Sequence, residues 1–492
     1  MTARGAVAAG HPVTAEAATA VLRDGGNAVD AAVAAMLASF TAEPLLTGLG
    51  AGGYMLVVAP GEEPVLLDFS VEAPGRGAGP PDPTELLRVD VSFGDAVQVF
   101  YAGAASCAAY GTPAGICEAM RRFGSRPLSE LAGPAAALAR EGVALNAQQA
   151  YVVEILAAII LSTPECAALY APGGRLLREG DVYRNPDLAG ALERLGEEGS
   201  APFHSGDIAA KISSWIRDRG GALSAEDLAA YEVVGRPPVR AVFRGRDVLL
   251  NPPPSAGGTL IAFALALLDR DAEPPTLHRL IEVMEAAQAE RTPQFLAGLA
   301  EEGFLERFRS SRLGSTTHIS VLDAEGRACA VTCSNGEGSG LVVPGTGIHV
   351  NNMMGEQDLN PLGFHRHPAG RRLPSMMSPT VALWDGTPEI VLGSGGSNRI
   401  RSAIVQTVVN MVDRGMAAGE AVLAPRIHVE DGALFAEPGI EVEAVEAAGA
   451  TVSRFRDLNL FFGGVHAVRR DPATGELSAG GDPRRGGATA LV

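Results

Sequence analysis

Lys211 is the single lysine in a chain of 492 residues, and this narrows the available chemistry at once. A phosphate-binding loop needs Gly-Lys-Ser/Thr, and pyridoxal phosphate needs a Schiff-base lysine. Lys211 sits in Ile208-Ala-Ala-Lys-Ile212, a helix-like run with no glycine-rich loop before it, so neither chemistry is expected. The five cysteines, Cys107, Cys117, Cys166, Cys329 and Cys333, form no CxxC pair and no Cys/His ligand spacing. No zinc site is expected. Cys329 and Cys333 are four apart on one strand face and read as buried structural thiols rather than a nucleophile. His365 and His367 flank Arg366 in a Pro/Gly-rich loop and read as solvated surface rather than as metal ligands. There is no GxSxG elbow and no HExxH.

Two further patterns are ambiguous by themselves. Gly48, Gly50 and Gly53 spell GxGxxG, which binds dinucleotides only between a strand and a following helix. Here a helical pattern precedes the loop and a strand follows, so a tight packing turn is expected. Thr316-Thr317 opens a strand, and threonine favours strands for its β-branch alone.

The elements that position these residues follow from periodicity. Thr14 is the expected N-cap of a helix over Ala15–Leu22, stopped by Gly25-Gly26. Asn27 caps a second helix, whose Val29, Ala32, Val33, Met36, Leu37 and Phe40 repeat at helical spacing. A strand is expected over Tyr54–Val58. The region from about 110 to 310 alternates Ala/Leu-rich helical segments with Pro/Gly turns. After Gly314 the character changes. Thr316–Asp323 alternates as a strand with Ile319 and Val321 on one face, and Arg327–Ser334 returns as its partner. Val381–Trp384, a turn at Asp385-Gly386 and Glu389–Leu392 form a second hairpin. A helix carrying Ile404, Val408 and Val412 follows, and Gly463–Arg469 ends the chain as strand again. Strands, helix and strands in a short span suggest a helix/sheet/sheet/helix sandwich.

The formal net charge of −18 argues against nucleic-acid partners. A 47% hydrophobic and 20% charged composition is that of an ordinary globular chain. The start, Met1-Thr-Ala-Arg-Gly5, opens no basic-then-apolar leader, and the longest apolar runs are short for a membrane span. With scattered thiols, a cytoplasmic protein is the expectation.

Taken together, ordered blocks along the chain resemble the γ-glutamyltranspeptidase family of N-terminal-nucleophile hydrolases. They are Gly10-His-Pro-Val-Thr-Ala-Glu16, Asp24-Gly-Gly-Asn-Ala-Val-Asp-Ala-Ala32, Gly48-Leu-Gly-Ala-Gly-Gly53, Gly111-Thr-Pro-Ala-Gly115 and Pro253-Pro-Ser-Ala-Gly-Gly258. Ser315-Thr-Thr-His-Ile-Ser-Val321 resembles the nucleophile block. Val350-Asn-Asn352, Ser375-Met-Met-Ser-Pro-Thr380, Gly393-Ser-Gly-Gly-Ser397 and Asp482-Pro-Arg-Arg485 follow in family order.

The resemblance implies an α+β, four-layer αββα sandwich that cleaves its own backbone between Ser315 and Thr316. A large segment, 1–315, and a small segment, 316–492, then stay together as one structural unit. Thr316 would be nucleophile and, through its freed α-amine with a pKa near 8, also base. Gly395, Gly396 and Ser397 resemble the oxyanion-binding turn. Ser334 stands where the family has a second threonine that steadies the nucleophile. No cofactor or metal is implied. The implied partners are a small acyl or amide substrate, with water or an amine acceptor, and the chain's own two segments.

The expected substrate contacts fall on Ser70, Asn335, Met353, Glu356 and Ser375, and here the chain departs from the family. The family reads Asp-Phe/Tyr-Arg-Glu, its arginine clamping the substrate α-carboxylate. This chain reads Asp68-Phe-Ser-Val-Glu72, with Ser70 at the arginine position. Met353 replaces a Gln or Glu that contacts the substrate amine, while Glu356 keeps an acidic residue. Met376 replaces the second serine of a pair begun by Ser375. Losing a charge-assisted pair inside a pocket costs a few kcal/mol, roughly two to three decades in affinity. A substrate other than glutathione is therefore expected. Genuine γ-glutamyl transfer, hydrolysis of an activated C–C bond and an uncleaved binding protein are the alternatives. Arg371, Arg372 or Arg399 could supply a relocated anion contact, although surface or structural arginines are the simpler expectation.

Overall fold

The computed structural model describes residues 5–77, 86–92, 97–290, 316–357, 359–360, 363–430 and 432–492. Two large antiparallel sheets organise it, and their strands are numbered here in chain order. The first has seven strands. In spatial order they are β13 (Ala488–Leu491), β1 (Ala6–Ala9), β7 (Thr317–Leu322), β8 (Ala328–Ser334), β2 (Gly52–Val58), β3 (Val65–Phe69) and β4 (Val234–Arg236). The second has six: β12 (Leu477–Gly481), β11 (Gly464–Arg470), β10 (Thr387–Gly395), β9 (Thr380–Trp384), β6 (Arg246–Leu250) and β5 (Val239–Phe243). Both sheets mix strands from the two sides of the 315–316 bond.

Period-two alternation builds the layers. In β1, Val7 and Ala9 join a core with helices α1 (Pro12–Arg23) and α2 (Ala28–Ala42). Ala6 and Ala8 face the other way, into a core shared with Leu249, Val381, Val391 and Val468 of the second sheet. The far face of that sheet, with Val248, Ala382, Ile390 and Leu392, packs on α3 (Ala256–Leu268) and α4 (Arg399–Val412). The order is helix, sheet, sheet, helix. Ile319 and Val321 lie on the helix side of β7, as their spacing predicts.

The local signals mostly hold. Asn27 caps α2, its side chain accepting from Val29 and Asp30 N–H while Asp30 closes the capping box. Asp385 and Gly386 both take positive φ, 48° and 75°, which suits a two-residue hairpin turn. The first helix begins earlier than expected. His11, not Thr14, is the N-cap, with its Nδ1 accepting from Val13 N–H and Pro12 at the first helical position. Thr14 instead donates through Oγ1 to the buried Glu43, 2.9 Å away. The Gly48–Gly53 loop joins helix to strand, and a Cβ at Gly53 would lie 2.4 Å from the Thr332 carbonyl oxygen. Its glycines serve close packing. Among the described residues, no helix is long and apolar enough to cross a membrane.

A polar seam interrupts the core between the sheets. His318 pairs through Nδ1 with Thr332 Oγ1 (2.7 Å) and through Nε2 with Ser320 Oγ (2.9 Å). Ser320 donates to the His466 carbonyl at 3.0 Å. Burial holds His318 well below the usual histidine range and His466 at about 4. Both are neutral when folded but take a proton below pH 6.5 when unfolded, so unfolded chains bind more protons there. Stability is therefore present above pH 6.5 and is lost as pH falls from 6.5 toward 4. From His466 alone, the urea-unfolding free energy is expected to drop by about 2 kcal/mol between pH 7 and pH 5.

Candidate active site at the ends of the strands

The ladder between β7 and β8 pairs Thr317 with Cys333, which places Thr316 opposite Ser334 one step further along. Ser334 pairs in turn with Gly52 at the start of β2. Gly52 packs on the 70–71 backbone, where a Cβ would lie 3.0 Å from the Ser70 carbonyl carbon. The start of β7, the end of β8, the start of β2 and the end of β3 thus meet at one edge of the first sheet. Thr316 and Ser334 are fully buried there. Ser334 Oγ accepts from Gly336 N–H at 3.0 Å, fixing the turn that leaves the strand.

The second sheet contributes the end of β10. A Cβ on Gly395 would stand 1.8 Å from the Thr316 carbonyl oxygen, so only glycine lets these backbones approach. The chain then turns through Gly396 (φ 121°) and Ser397 (φ 62°) into the first turn of α4. A left-handed serine is uncommon and strained, which marks a turn fixed by its surroundings. The N-terminus of α4 adds a positive field beside it. Ser397 Oγ is buried with no hydrogen-bond partner among the described residues. Ser315 lies outside the described residues.

The expected substrate residues divide. Asn335 follows Ser334, fully buried, and neither atom of its side-chain amide has a partner among the described residues. Such an amide is costly unless a ligand completes it. A Cβ at Gly336 would lie 2.0 Å from Asn352 Oδ1 and 2.6 Å from Glu356 Oε1, so Glu356 closes on the same turn. Glu337, not anticipated, is also buried here and accepts from Asn352 Nδ2 at 3.4 Å. Met353 lies in an apolar cluster with Val71, Ala73, Met354 and Leu373. Ser375 is occupied elsewhere, its Oγ accepting from Met377 N–H and its carbonyl accepting from Ser255 Oγ.

Of the arginines considered for a relocated anion contact, Arg372 is a structural post. It donates to the carbonyls of Ser70 and Glu232 and stands 4.3 Å over the Tyr231 ring. It also lies 3.7 Å from the Asp68 carboxylate and 3.6 Å from that of Glu72. Arg399 donates to the Phe461 carbonyl at 2.8 Å and lies 4.6 Å from that ring's centre. Glu43 is a further unanticipated group. Thr317 Oγ1 donates to it at 2.5 Å, and burial pushes its carboxyl pKa up. The five cysteines are unpaired thiols, and burial raises their pKa, so none reads as a nucleophile. Among the described residues no cluster could hold a metal ion.

A threonine opening a central strand, faced by a glycine turn from the second sheet of an αββα sandwich, defines an N-terminal-nucleophile hydrolase. The chain belongs to the γ-glutamyltranspeptidase family, whose model matches residues 14–492. It is 30% identical over 507 residues to the acylase ACY 1 proenzyme of Pseudomonas sp. strain V22, covering 95% of this chain and 90% of that one. It is also 30% identical over 543 residues to the glutathione hydrolase proenzyme of Escherichia coli K12, covering 98% and 90%. Among solved structures, cephalosporin acylase from Bacillus halodurans superposes with a TM-score of 0.85 at 26% identity, covering 99% of this chain and 96% of that one.

The Gly395–Thr316 contact has no slack, because both partners are backbone. Gly395→Ala is expected to force the end of β10 and the Thr316 backbone apart, at a cost in stability, and to lower the rate of any Thr316-dependent step by at least about 10²-fold in the chain that still folds. Intact mass over a time course, with circular dichroism as the folding control, checks it.

Proposed function

We propose that the chain matures by cleavage between Ser315 and Thr316 and then transfers acyl groups from amides that lack the α-carboxylate of a γ-glutamyl group. The observation that carries this is the convergence of Thr316, Ser334 and Gly395 at the meeting edge of the sheets. The word proenzyme in the names of both relatives supports processing.

The chemistry follows from one residue. A threonine hydroxyl at its own pKa is a poor nucleophile. Once freed, the Thr316 α-amine takes the hydroxyl proton, directly or through water, as Oγ1 attacks the acyl carbonyl. Charge then develops on the carbonyl oxygen, and the N–H groups of the 395–397 turn are the candidates to receive it. Collapse expels the amine, which takes the proton, and leaves an ester on Thr316. Water or a second amine resolves the ester.

The acyl group is read from what surrounds the turn. Ser70 carries no charge, and Arg372 below it is already bonded to protein groups. Val71, Met353, Met354 and Leu373 pack beside it as a buried apolar cluster instead. An α-carboxylate there would be buried without a partner. The acylase names among the relatives support the same direction.

Two measurements test this. Wild-type chain under denaturing conditions is expected to give fragments of about 32 and 18 kDa, from 315 and 177 of 492 residues. Thr316→Ala is expected to stay whole. Among p-nitroanilides, the butanoyl and 4-aminobutanoyl compounds are expected to exceed the γ-glutamyl one in kcat/KM by at least about tenfold. A γ-glutamyl preference would restore the glutathione-type alternative.

A further inference from the structure

Three arginines lie buried around the last turn of the chain, and they are not alike. Arg426 pairs with Asp482 at 2.7 Å. Arg484 pairs with Glu437 at 2.5 Å and with Asp482 at 3.1 Å. Arg485 has no ion pair among the described residues, and its Nε has no hydrogen-bond partner among them. An unpaired buried guanidinium is expensive, and one neutral hydrogen bond does not offset it. A fold that keeps such a group has a use for it.

The place of Arg485 suggests the use. Its Nη1 donates to the Thr316 carbonyl oxygen at 3.2 Å. Its stem runs beneath Gly464, where a Cβ would meet Cδ at 2.3 Å and Cγ at 2.6 Å. Its two terminal nitrogens lie 3.2 and 3.5 Å from where Cβ atoms of Gly395 and Gly396 would stand. The side chain is therefore threaded under the glycine turn by the absence of side chains, and it ends on the residue opposite that turn.

We propose that Arg485 is the positioning residue of this site, fixing Thr316 by its carbonyl from beneath the glycine turn and setting a permanent positive charge beside the α-amine. The proposal rests on Thr316 being the nucleophile. The charged and titratable groups around it are Arg399 from α4, Asp482 three residues before it in the same turn, Glu337 after β8, Glu43 after α2 and His466 of β11. Asp482 is held by Arg426 and Arg484. Burial raises the Glu43 pKa and holds His466 at about 4, and the pull of Asp482, Glu337 and Glu43 on Arg485 is outweighed by its burial and by Arg399. Burial and Arg399 pull Arg485 itself down to about 10, so it is still charged at neutral pH. A fixed cation disfavours the ammonium form of a neighbouring amine and lowers its pKa. More of the amine is then free to act as base near pH 7.

The test needs no natural substrate. The only lysine, Lys211, lies in the large segment, and Cys329 and Cys333 of the 316–492 chain are buried thiols, so acetyl transferred from p-nitrophenyl acetate to that chain and located at its first residue by fragmentation reports on Thr316. Acetylation of mature wild type, Arg485→Met and Arg485→Lys is followed by intact mass from pH 5 to 9. Arg485→Met is expected to acetylate about 10²-fold more slowly at pH 7, with its acid limb displaced to higher pH. Arg485→Lys is expected to return the limb toward wild type while recovering part of the rate. Equal rates and limbs in Arg485→Met and wild type would overturn the proposal. So would a slow Arg485→Lys whose limb matches Arg485→Met, because shape rather than charge would then matter. If Arg485→Met stays uncleaved, Arg485→Lys decides: cleavage with a wild-type limb supports the proposal. Failure of both variants to cleave assigns Arg485 to folding and overturns it. A wild-type chain that never cleaves removes the nucleophile reading itself, whatever Arg485 does.

Discussion

The ladder between β7 and β8 is the interaction on which the rest of the molecule depends. Its register sets Thr316 opposite Ser334 and, through β2, brings Gly52 and the 70–71 backbone to the same edge. A slip of one residue would turn every side chain of β7 to its other face. Ile319 and Val321 would enter the polar seam between the sheets, and His318 would turn, together with Ser320, toward the α2 core and lose Thr332. Burying an unsatisfied imidazole there costs far more than a single mismatched contact. The seam therefore locks the register, and the register places Thr316.

The sequence carried the layers more openly than it carried the site. The period of α2, the Asn27 cap and the Asp385-Gly386 turn each have a local cause, so they were visible before any tertiary contact was known. The first helix start was not. Thr14 has the chemistry of an N-cap, but a buried carboxylate 29 residues on claims its hydroxyl, and His11 takes the cap. Thr316 shows the opposite limit. By type it is only a strand former, and its importance appeared through the order of surrounding blocks. Ser70, Asn335, Met353 and Glu356 could be placed by the same blocks. That Ser375 is engaged by its own turn could not, because its partners lie over a hundred residues away at Ser255 or two residues on at Met377. Glu43, Glu337 and Arg485 carried no spacing signal. Their meaning comes only from burial and from which neighbours lack charges.

The block at 482–485 shows how one short run divides its work. Asp482 gathers Arg426 and Arg484 into a closed ionic set near the chain's end, and its carboxylate also accepts from Val465 N–H at 2.8 Å in β11. Arg484 ties that set to Glu437. Breaking one member of such a set leaves a buried charge uncompensated, typically at about 3–5 kcal/mol. The set therefore anchors the turn rigidly, and the next residue can be held where no counter-ion reaches it. The rigidity of this set holds the buried charge of Arg485, unpaired among the described residues, in place beside it.

A division between machinery and selection follows from where these groups sit. Thr316, Ser334 and Gly395 are at the ends of paired strands, fixed by backbone ladders on both sides. Strands and their ladders change little when a surface side chain changes, so this part of the site tolerates no drift and needs none. Ser70 follows the end of β3, and Met353 and Glu356 lie on a short turn after residues 348–349, so a side chain there can be exchanged without disturbing the ladders of the two sheets. The hydrogen bond from Tyr231 to the Ser70 carbonyl, at 2.6 Å, does not use the side chain at position 70. The backbone there is held by its carbonyl rather than by its side chain. The side chain at position 70 can thus change while Thr316 keeps its place in the ladder.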